Sequence, residues 1–302
     1  MKIVVAGGSG LLGSALVPAL RARGHDVLRL VRHTPAAADE VFWNPAENKL
    51  DPTRLEGVDA IVNLCGENVG AGRWTDARRE RILRSRVEAT RALVLALDTL
   101  MAKPSVFVNA SAIGVYGNRG EEEMTEASSI GHGFLPEVCL AWETHAEGAA
   151  RRGVRTALLR FGVVLTREGG ALAKMLPLFR LGLGGRLGDG RQWMSWVSLE
   201  DAVAAILHAL TNKECRGPIN VTAPEPVTNT EFTATLAQVL NRPAALHVPA
   251  WVLRLVLGRG MADEMLLAST RAIPARLHEA SFQFRHATLE GALHASMSTP
   301  GG

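Results

Sequence analysis

The chain has 302 residues, 47% apolar and 21% charged, with a net charge of +3; this supports one large domain or two around a substantial core, and so small an excess gives no case for nucleic acid. No apolar run approaches the roughly 20 residues of a membrane span and the opening apolar stretch is too short for a signal peptide, so no membrane partner and a cytoplasmic location are expected. Cys65, Cys139 and Cys215 lie far apart without a C-x-x-C pair, and the nine histidines have no metal-ligand spacing, so reduced thiols and no metal are expected.

The run Lys2 to Ala6 reads as a strand entering Gly7-Gly8-Ser9-Gly10-Leu11-Leu12-Gly13, which opens an amphipathic helix from Leu11 to Arg23. Gly8, Gly10 and Gly13 satisfy G-x-G-x-x-G, and Gly7, Gly10 and Gly13 satisfy the looser spacing of glycines three apart. Glycines there allow the tight turn, the approach of backbone to a pyrophosphate and the close packing of helix on strand, while the helix N-terminus turns its N–H groups to the anion. Gly7, Ser9, Gly10, Leu11, Leu12 and Gly13 are therefore the expected dinucleotide contacts. A second strand, Asp26 to Val31, ends without the acid that would accept the ribose hydroxyls of NAD. Arg32 stands there instead, suited to paired charge-assisted bonds with a 2′-phosphate, and this favours NADP.

Further strands are expected at Asp59 to Leu64, Ser105 to Ala110 and Arg155 to Leu165, with helices at Thr75 to Met101 and Leu135 to Arg152. Such alternation predicts an α/β fold with a doubly wound parallel sheet of Rossmann type. From Glu168 glycine-rich loops take over, a texture that builds sites rather than cores. A helix near 199–210 and a strand at 218–222 return to the sheet. The predicted division is a dinucleotide-binding domain at 1–165 and a smaller substrate lobe at 166–198 and 223–302, with helices near 230–240, 250–257 and 262–269.

Asn63-Leu64-Cys65-Gly66, Ala110-Ser111-Ala112 and Val115-Tyr116-Gly117 resemble the corresponding strand ends and V-Y-G turn of the extended short-chain dehydrogenase/reductase superfamily, in its NAD(P)-dependent epimerase/dehydratase group. Arg73-Trp74-Thr75, Ser85-Arg86-Val87, Gly182-Leu183-Gly184-Gly185, Gln192-Trp193-Met194-Ser195-Trp196, Asn220-Val221-Thr222-Ala223-Pro224, Met261-Ala262-Asp263-Glu264 and Leu266-Leu267-Ala268-Ser269 resemble an atypical branch of nucleoside-diphosphate-sugar epimerases with its own C-terminal segment. The resemblance implies that Leu64, Cys65 and Gly66 pass beneath the adenine and its ribose, and that Arg86 is presented to the cofactor from the long helix.

The superfamily moves protons with a tyrosine and a lysine four residues later, the cation lowering the phenol's pKa. Alignment through Trp142-Glu143 puts Leu135 and Cys139 at those positions, and neither can do that work. The usual Ser or Thr is Ala112, with Ser111 one residue away. Ser111 and Tyr116, the one tyrosine in the chain, are the expected catalytic groups; Glu67, Asn68 and Glu143 are further candidates in the cleft. Arg160, Arg186 and Arg191 flank loops where related epimerases bind a nucleotide diphosphate, and Trp193 and Trp196 bracket Met194 as an apolar wall. The leading expectation is an NADP-dependent oxidoreductase or epimerase-like enzyme transferring hydride to or from a small carbonyl or nucleotide-sugar substrate. The alternative is a catalytically silent NADPH-binding sensor or interaction module. A homodimer through the long helices would be ordinary for such a fold.

Overall fold

Ile3, Val4, Val5 and Ala6 are all fully buried, as an interior parallel strand covered on both faces requires. The computed structural model describes residues 1–298. Its first half runs β1 (Lys2–Ala6), α1 (Leu11–Arg21), β2 (Asp26–Val31), β3 (Glu40–Asn44), β4 (Lys49–Leu50), β5 (Ala60–Asn63), α2 (Asp76–Ala96), β6 (Val106–Ala112), β7 (Glu123–Met124), α3 (Phe134–Ala150) and β8 (Arg155–Phe161). The chain continues through β9 (Val163–Leu165), α4 (Gly170–Arg180), β10 (Gly185–Leu187), β11 (Trp193–Met194), β12 (Trp196–Ser198), α5 (Leu199–Thr211), β13 (Gly217–Val221), β14 (Val227–Thr228) and α6 (Asn229–Leu240). It ends with β15 (Leu246–Val248), α7 (Ala250–Leu257), α8 (Arg259–Met261), β16 (Arg271–Ala272), α9 (Ala275–Glu279) and α10 (Leu289–Met297).

Eight strands form one sheet in the order β13-β8-β6-β5-β1-β2-β3-β4, parallel except at the β3–β4 edge. Alternate residues of each strand serve opposite faces. Ile3, Val5 and Val62 pack with Leu16 and Leu20 of α1 and Ile206 and Leu210 of α5, whereas Val4, Ile61 and Phe107 pack with Leu93 of α2 and Ala146 and Ala149 of α3. This is the expected doubly wound α/β architecture. The strand order turns around β1, whose neighbours are β2 and β5, and the crevice beyond the carboxyl ends of such strands is where an open α/β sheet binds ligands.

Several boundaries differ from the sequence expectation. The long helix starts only after Thr75, whose side chain caps it by accepting from Arg78 N at 3.3 Å, and it closes at Ala96 rather than at Met101. The strand expected through Leu165 breaks at Gly162, where a Cβ would lie 2.6 Å from the Ser195 carbonyl oxygen. Beyond that crossing the chain pairs with β12 instead of extending the sheet. Residues 170–180, read as part of a loop region, form α4, with Leu172, Leu176 and Phe179 buried. The edge strands β3 and β4 were absent from the expectation, and the helix near 262–269 is a single π turn, Ala262–Leu266. No helix among the described residues is long and apolar enough to cross a membrane.

The C-terminal residues do not all lie in one place. Leu289, Ala292 and Leu293 of α10 join Phe179 and Phe232 in a satellite core, while Leu277 of α9 and Phe282 sit in the main core with Ile219. Leu277 is fully buried, so truncation removes both its transfer energy and the packing around it. Leu277→Ala is expected to cost about 2–5 kcal/mol, read as a lower urea midpoint with an unchanged slope.

Candidate functional site

The loop from β1 to α1 is built without room for side chains. Gly7 has φ +82°, and a Cβ there would lie 2.8 Å from the Leu64 carbonyl carbon; a Cβ at Gly13 would lie 2.2 Å from Gly7 O. Gly10 N donates to Gly7 O at 3.0 Å, closing the turn. Helix α1 begins at Gly10 with no capping side chain and no acid in its first turn, leaving the positive end of its dipole without a protein anion. Ser9 is exposed, the Leu11 side chain lies 2.9 Å from a Cβ built on Gly169, and Leu12 packs on the core.

The loop after β5 is fixed from beneath. Asn63, fully buried, donates to Thr90 Oγ1 at 2.9 Å and Asn109 Oδ1 at 2.7 Å, and accepts from Cys65 N at 3.2 Å. Leu64 N donates to Ala6 O at 2.9 Å, holding this loop beside the glycines. Burial pushes the Cys65 thiol up to about 12, against the lowering pull of the Arg32 guanidinium, so Cys65 is a packed neutral thiol at neutral pH. A Cβ on Gly66 would lie 2.9 Å from Arg86 Cζ. Arg86 Nη1 donates to Glu67 O at 3.1 Å and Ile82 O at 2.9 Å.

The cations in and after the second strand divide into two kinds. Arg29 is bound to Asp39 at 2.8 Å and to Glu40 at 3.1 Å, and His33 lies 3.5 Å from Glu40. Arg32 is exposed and makes no hydrogen bond or ion pair with any of the described residues.

Beyond the cofactor crevice the expected catalytic groups lie in the interior. Tyr116 is 0% exposed; its hydroxyl donates to Asn220 Oδ1 at 2.7 Å and accepts from Arg160 Nη1 at 2.9 Å. Burial pushes the phenol up, against the lowering pull of Arg160, so this tyrosine is a poor source of protons. Ser111 is buried and donates to Glu143 Oε1 at 2.6 Å. Glu143 and Arg160 form a buried bidentate pair, Nε to Oε1 at 2.8 Å and Nη2 to Oε2 at 2.7 Å. Burial pulls the Arg160 guanidinium down, but Glu143 outweighs it and holds the group above its ordinary value. Arg160 is thus an internal tie rather than a diphosphate ligand, and Glu143 is committed to it. Arg186 and Arg191 stay exposed. Trp196 is fully buried with Nε1 donating to Glu225 O at 3.1 Å, so it is core, while Trp193 is half-buried beneath Arg271 at 4.6 Å.

Leu135 and Cys139 lie in the first two turns of α3 as the alignment expects, and burial pushes the Cys139 thiol up to about 12. What the sequence reading missed is Glu264. Its carboxylate accepts from Leu135 N at 2.8 Å and lies 3.1 Å from a Cβ built on Gly133. The neighbouring Met265 methyl lies 3.5 Å from a Cβ built on Gly70, whose carbonyl accepts from Lys174 Nζ. Glu264 falls within a segment that carried the resemblance, but a contact between residues 129 positions apart leaves no local signal. Lys174 had none either, because its helix was read as loop.

The family model described as the NAD dependent epimerase/dehydratase family matches residues 3–222, and the domain of unknown function DUF1731 matches residues 248–296. Epimerase family protein Mb2239 of Mycobacterium bovis is 46% identical over 99% of this chain and 98% of its own. The chloroplastic epimerase family protein SDR39U1 homolog of Arabidopsis thaliana is 37% identical over 98% of this chain and 87% of its own. The crystal structure of human epimerase family protein SDR39U1 (isoform 2) with NADPH superposes with a TM-score of 0.88 at 32% identity, covering 98% of each chain. MoeE5 in complex with UDP-glucuronic acid and NAD shares the fold, with a TM-score of 0.76 at 23% identity over 97% of this chain and 96% of its own.

Two outcomes follow from the buried groups. Glu143→Gln breaks an ion pair whose side chains are 5–6% exposed and is expected to destabilise the protein by about 3–5 kcal/mol in urea unfolding. Cys65 and Cys139 are expected to react with iodoacetamide at pH 8 at least about tenfold more slowly in the native protein than in the unfolded chain, because so little thiolate is present; peptide mapping after timed alkylation reads each site.

Proposed function

Since the chain belongs to the NAD dependent epimerase/dehydratase family, we propose that it is an NADPH-dependent oxidoreductase or epimerase-like enzyme acting on a small carbonyl or nucleotide-sugar substrate. The observation that carries the cofactor choice is Arg32, an exposed guanidinium without a protein acid while Arg29 and His33 are paired. The NADPH in the human SDR39U1 structure supports the same choice. The glycine loop, with no space for a methyl at Gly7 or Gly13, and the uncapped start of α1 fit a pyrophosphate against backbone N–H groups. When bound, the nicotinamide would supply hydride chemistry; the chain's part is to bind and orient it and to manage a proton.

We route that proton away from Tyr116 and Ser111, whose hydroxyls both have internal partners. We assign them to holding Arg160 and Glu143. The ionisable group placed at Leu135, where the family carries its tyrosine, is Glu264. We assign Glu264, whose carboxylate accepts from Leu135 N at 2.8 Å, the role of taking a proton from a substrate hydroxyl. A second reading, a silent NADPH-binding module, is favoured by one observation: neither Leu135 nor buried Cys139 can protonate a substrate.

Side-by-side titration of purified protein with NADPH and NADH, followed by tryptophan fluorescence, tests the cofactor assignment. Arg32→Gln is expected to weaken NADPH by about ten- to a hundredfold, the worth of charge-assisted bonds to a phosphate, and to leave NADH unchanged; equal losses for both would remove Arg32 from the site. Turnover on a panel of carbonyl and nucleotide-sugar substrates separates enzyme from module. Glu264→Gln keeps an acceptor for Leu135 N and is expected to leave NADPH affinity within about twofold while lowering turnover at least a hundredfold. Tight NADPH binding with no turnover across the panel would instead support the module.

A further inference from the structure

The segment between the loop after β5 and α2 has both its ends on one residue. Arg78 Nη2 donates to Asn68 O at 2.7 Å, and Arg78 N donates to Thr75 Oγ1 at 3.3 Å, so residues 69–74 form a short loop whose ends meet at the start of α2. Its base is firm. Glu67 N donates to Ser85 Oγ at 3.0 Å, and the Glu67 carboxylate lies 3.2 Å from Arg78 Nη1 and 3.5 Å from Arg81 Nε. Its tip is not packed: Ala71, Gly72 and Arg73 are exposed, and Gly72, at φ +152°, has nothing within 4 Å of a built Cβ.

What holds the tip comes from later parts of the chain. Lys174 Nζ on α4 donates to Gly70 O, and Arg73 donates to Leu255 O and, through Nε at 2.8 Å, to Val256 O. Those two carbonyls lie in the last turn of α7, the negative end of its dipole, which suits a guanidinium. The Met265 methyl lies 3.5 Å from a Cβ built on Gly70. At the other end of the loop Trp74 meets the ring of Phe134 edge-on at 5.0 Å, and Phe134 precedes Leu135, whose N–H donates to Glu264. The loop thus spans from α2 to α4 and α7 beside the Leu135–Glu264 contact. Its fastening is separable from the core, because a tip with few buried apolar contacts opens at a free energy far below that of global unfolding.

We propose that residues 69–73 are a flap latched by Lys174 and Arg73, and that the nicotinamide half of NADPH enters and leaves when it opens. This rests on the NADPH reading above. Shut, the flap screens the Leu135–Glu264 end of the crevice from water. Both latches join protein to protein, so loosening one raises the open fraction of the free and the loaded protein alike. Entry and release then both quicken while affinity stays the same.

The test compares wild type, Lys174→Met and Arg73→Lys, the last keeping a tryptic site while giving up the two-pronged bond to α7. Without ligand, trypsin is expected to cut the bond after residue 73 about fivefold faster in each variant, read by peptide mapping, with an unchanged urea midpoint and unchanged cutting at other arginines. With NADPH, stopped-flow fluorescence is expected to give association and dissociation each about fivefold faster and a Kd within about twofold of wild type. Cutting at the wild-type rate in either variant, or faster cutting with wild-type NADPH rates, overturns the proposal. So does a Kd weakened through slower association, which would make the loop a binding surface. If wild type binds no NADPH, the NADPH reading fails and the gate with it, while the cleavage rates still separate a latched flap from a fixed loop.

Discussion

The buried Glu143–Arg160 pair is the interaction around which the α3 side of the crevice is organised. It ties α3 to β8, and its satellites tie in the rest: Ser111 from the end of β6, Tyr116 from the turn beyond it and Asn220 from β13. The Asn220 backbone N–H in turn donates to Glu126 Oε1 at 2.9 Å, and its side-chain amide donates to Ile273 O at 2.9 Å. Two charges this deeply buried are tolerable because nearly every lone pair and proton is used. The same saturation holds Tyr116 and Ser111 in place: a hydroxyl that satisfies a buried ion pair cannot leave it without exposing a charge to an apolar interior.

The crevice beside that network has the opposite character. The start of α1, Arg32 and one edge of Arg86 are donors or positive charges without acceptors among the described residues, spaced along the carboxyl ends of β1, β2 and β5. A modest net charge of +3 conceals this, because many arginines elsewhere are neutralised locally, as Arg29 is by Asp39 and Arg152 by Asp98. Concentrating unpaired donors in one groove favours an anion there.

The β1–glycine–α1 unit was legible because its constraint is local: the residues that must be small are within seven positions of one another, and their neighbours show the change from strand to helix. The strand Glu40–Asn44 was not, since it is short, flanked by loop-forming residues and stabilised by pairing with β2 and β4. Helix α4 was hidden by Gly169-Gly170, which suggest a loop although they mark its start, where Leu11 leaves no room for a Cβ at Gly169. Arg160 looked like an anion ligand because a sequence does not show that its acid, Glu143, lies one helix back and in the same interior. Absent side chains were easier to read than present ones: Leu135 and Cys139 announce a loss by their type, whereas Glu264 becomes interpretable only when folding brings it to that helix.

That residue explains how one helix can lose both polar groups and keep a polar crevice. Glu264 comes from the C-terminal segment, which is fastened to the same region by Thr270 Oγ1 donating to Gly117 O at 2.8 Å and Ser269 N donating to Asn118 Oδ1 at 3.0 Å. The segment therefore grips both the turn after Tyr116 and the first residues of α3, while Met265 approaches the Gly70 loop that Lys174 also holds. Each hydrogen bond contributes only about 1 kcal/mol net, yet together they fix a carboxylate at the end of a helix whose own first turn has no side-chain cap. Removing the segment would leave that helix end uncapped and the crevice without an ionisable group at Leu135. Its contacts make it a wall of the crevice, so a ligand reaching α3 is met by residues from both matched segments of the chain.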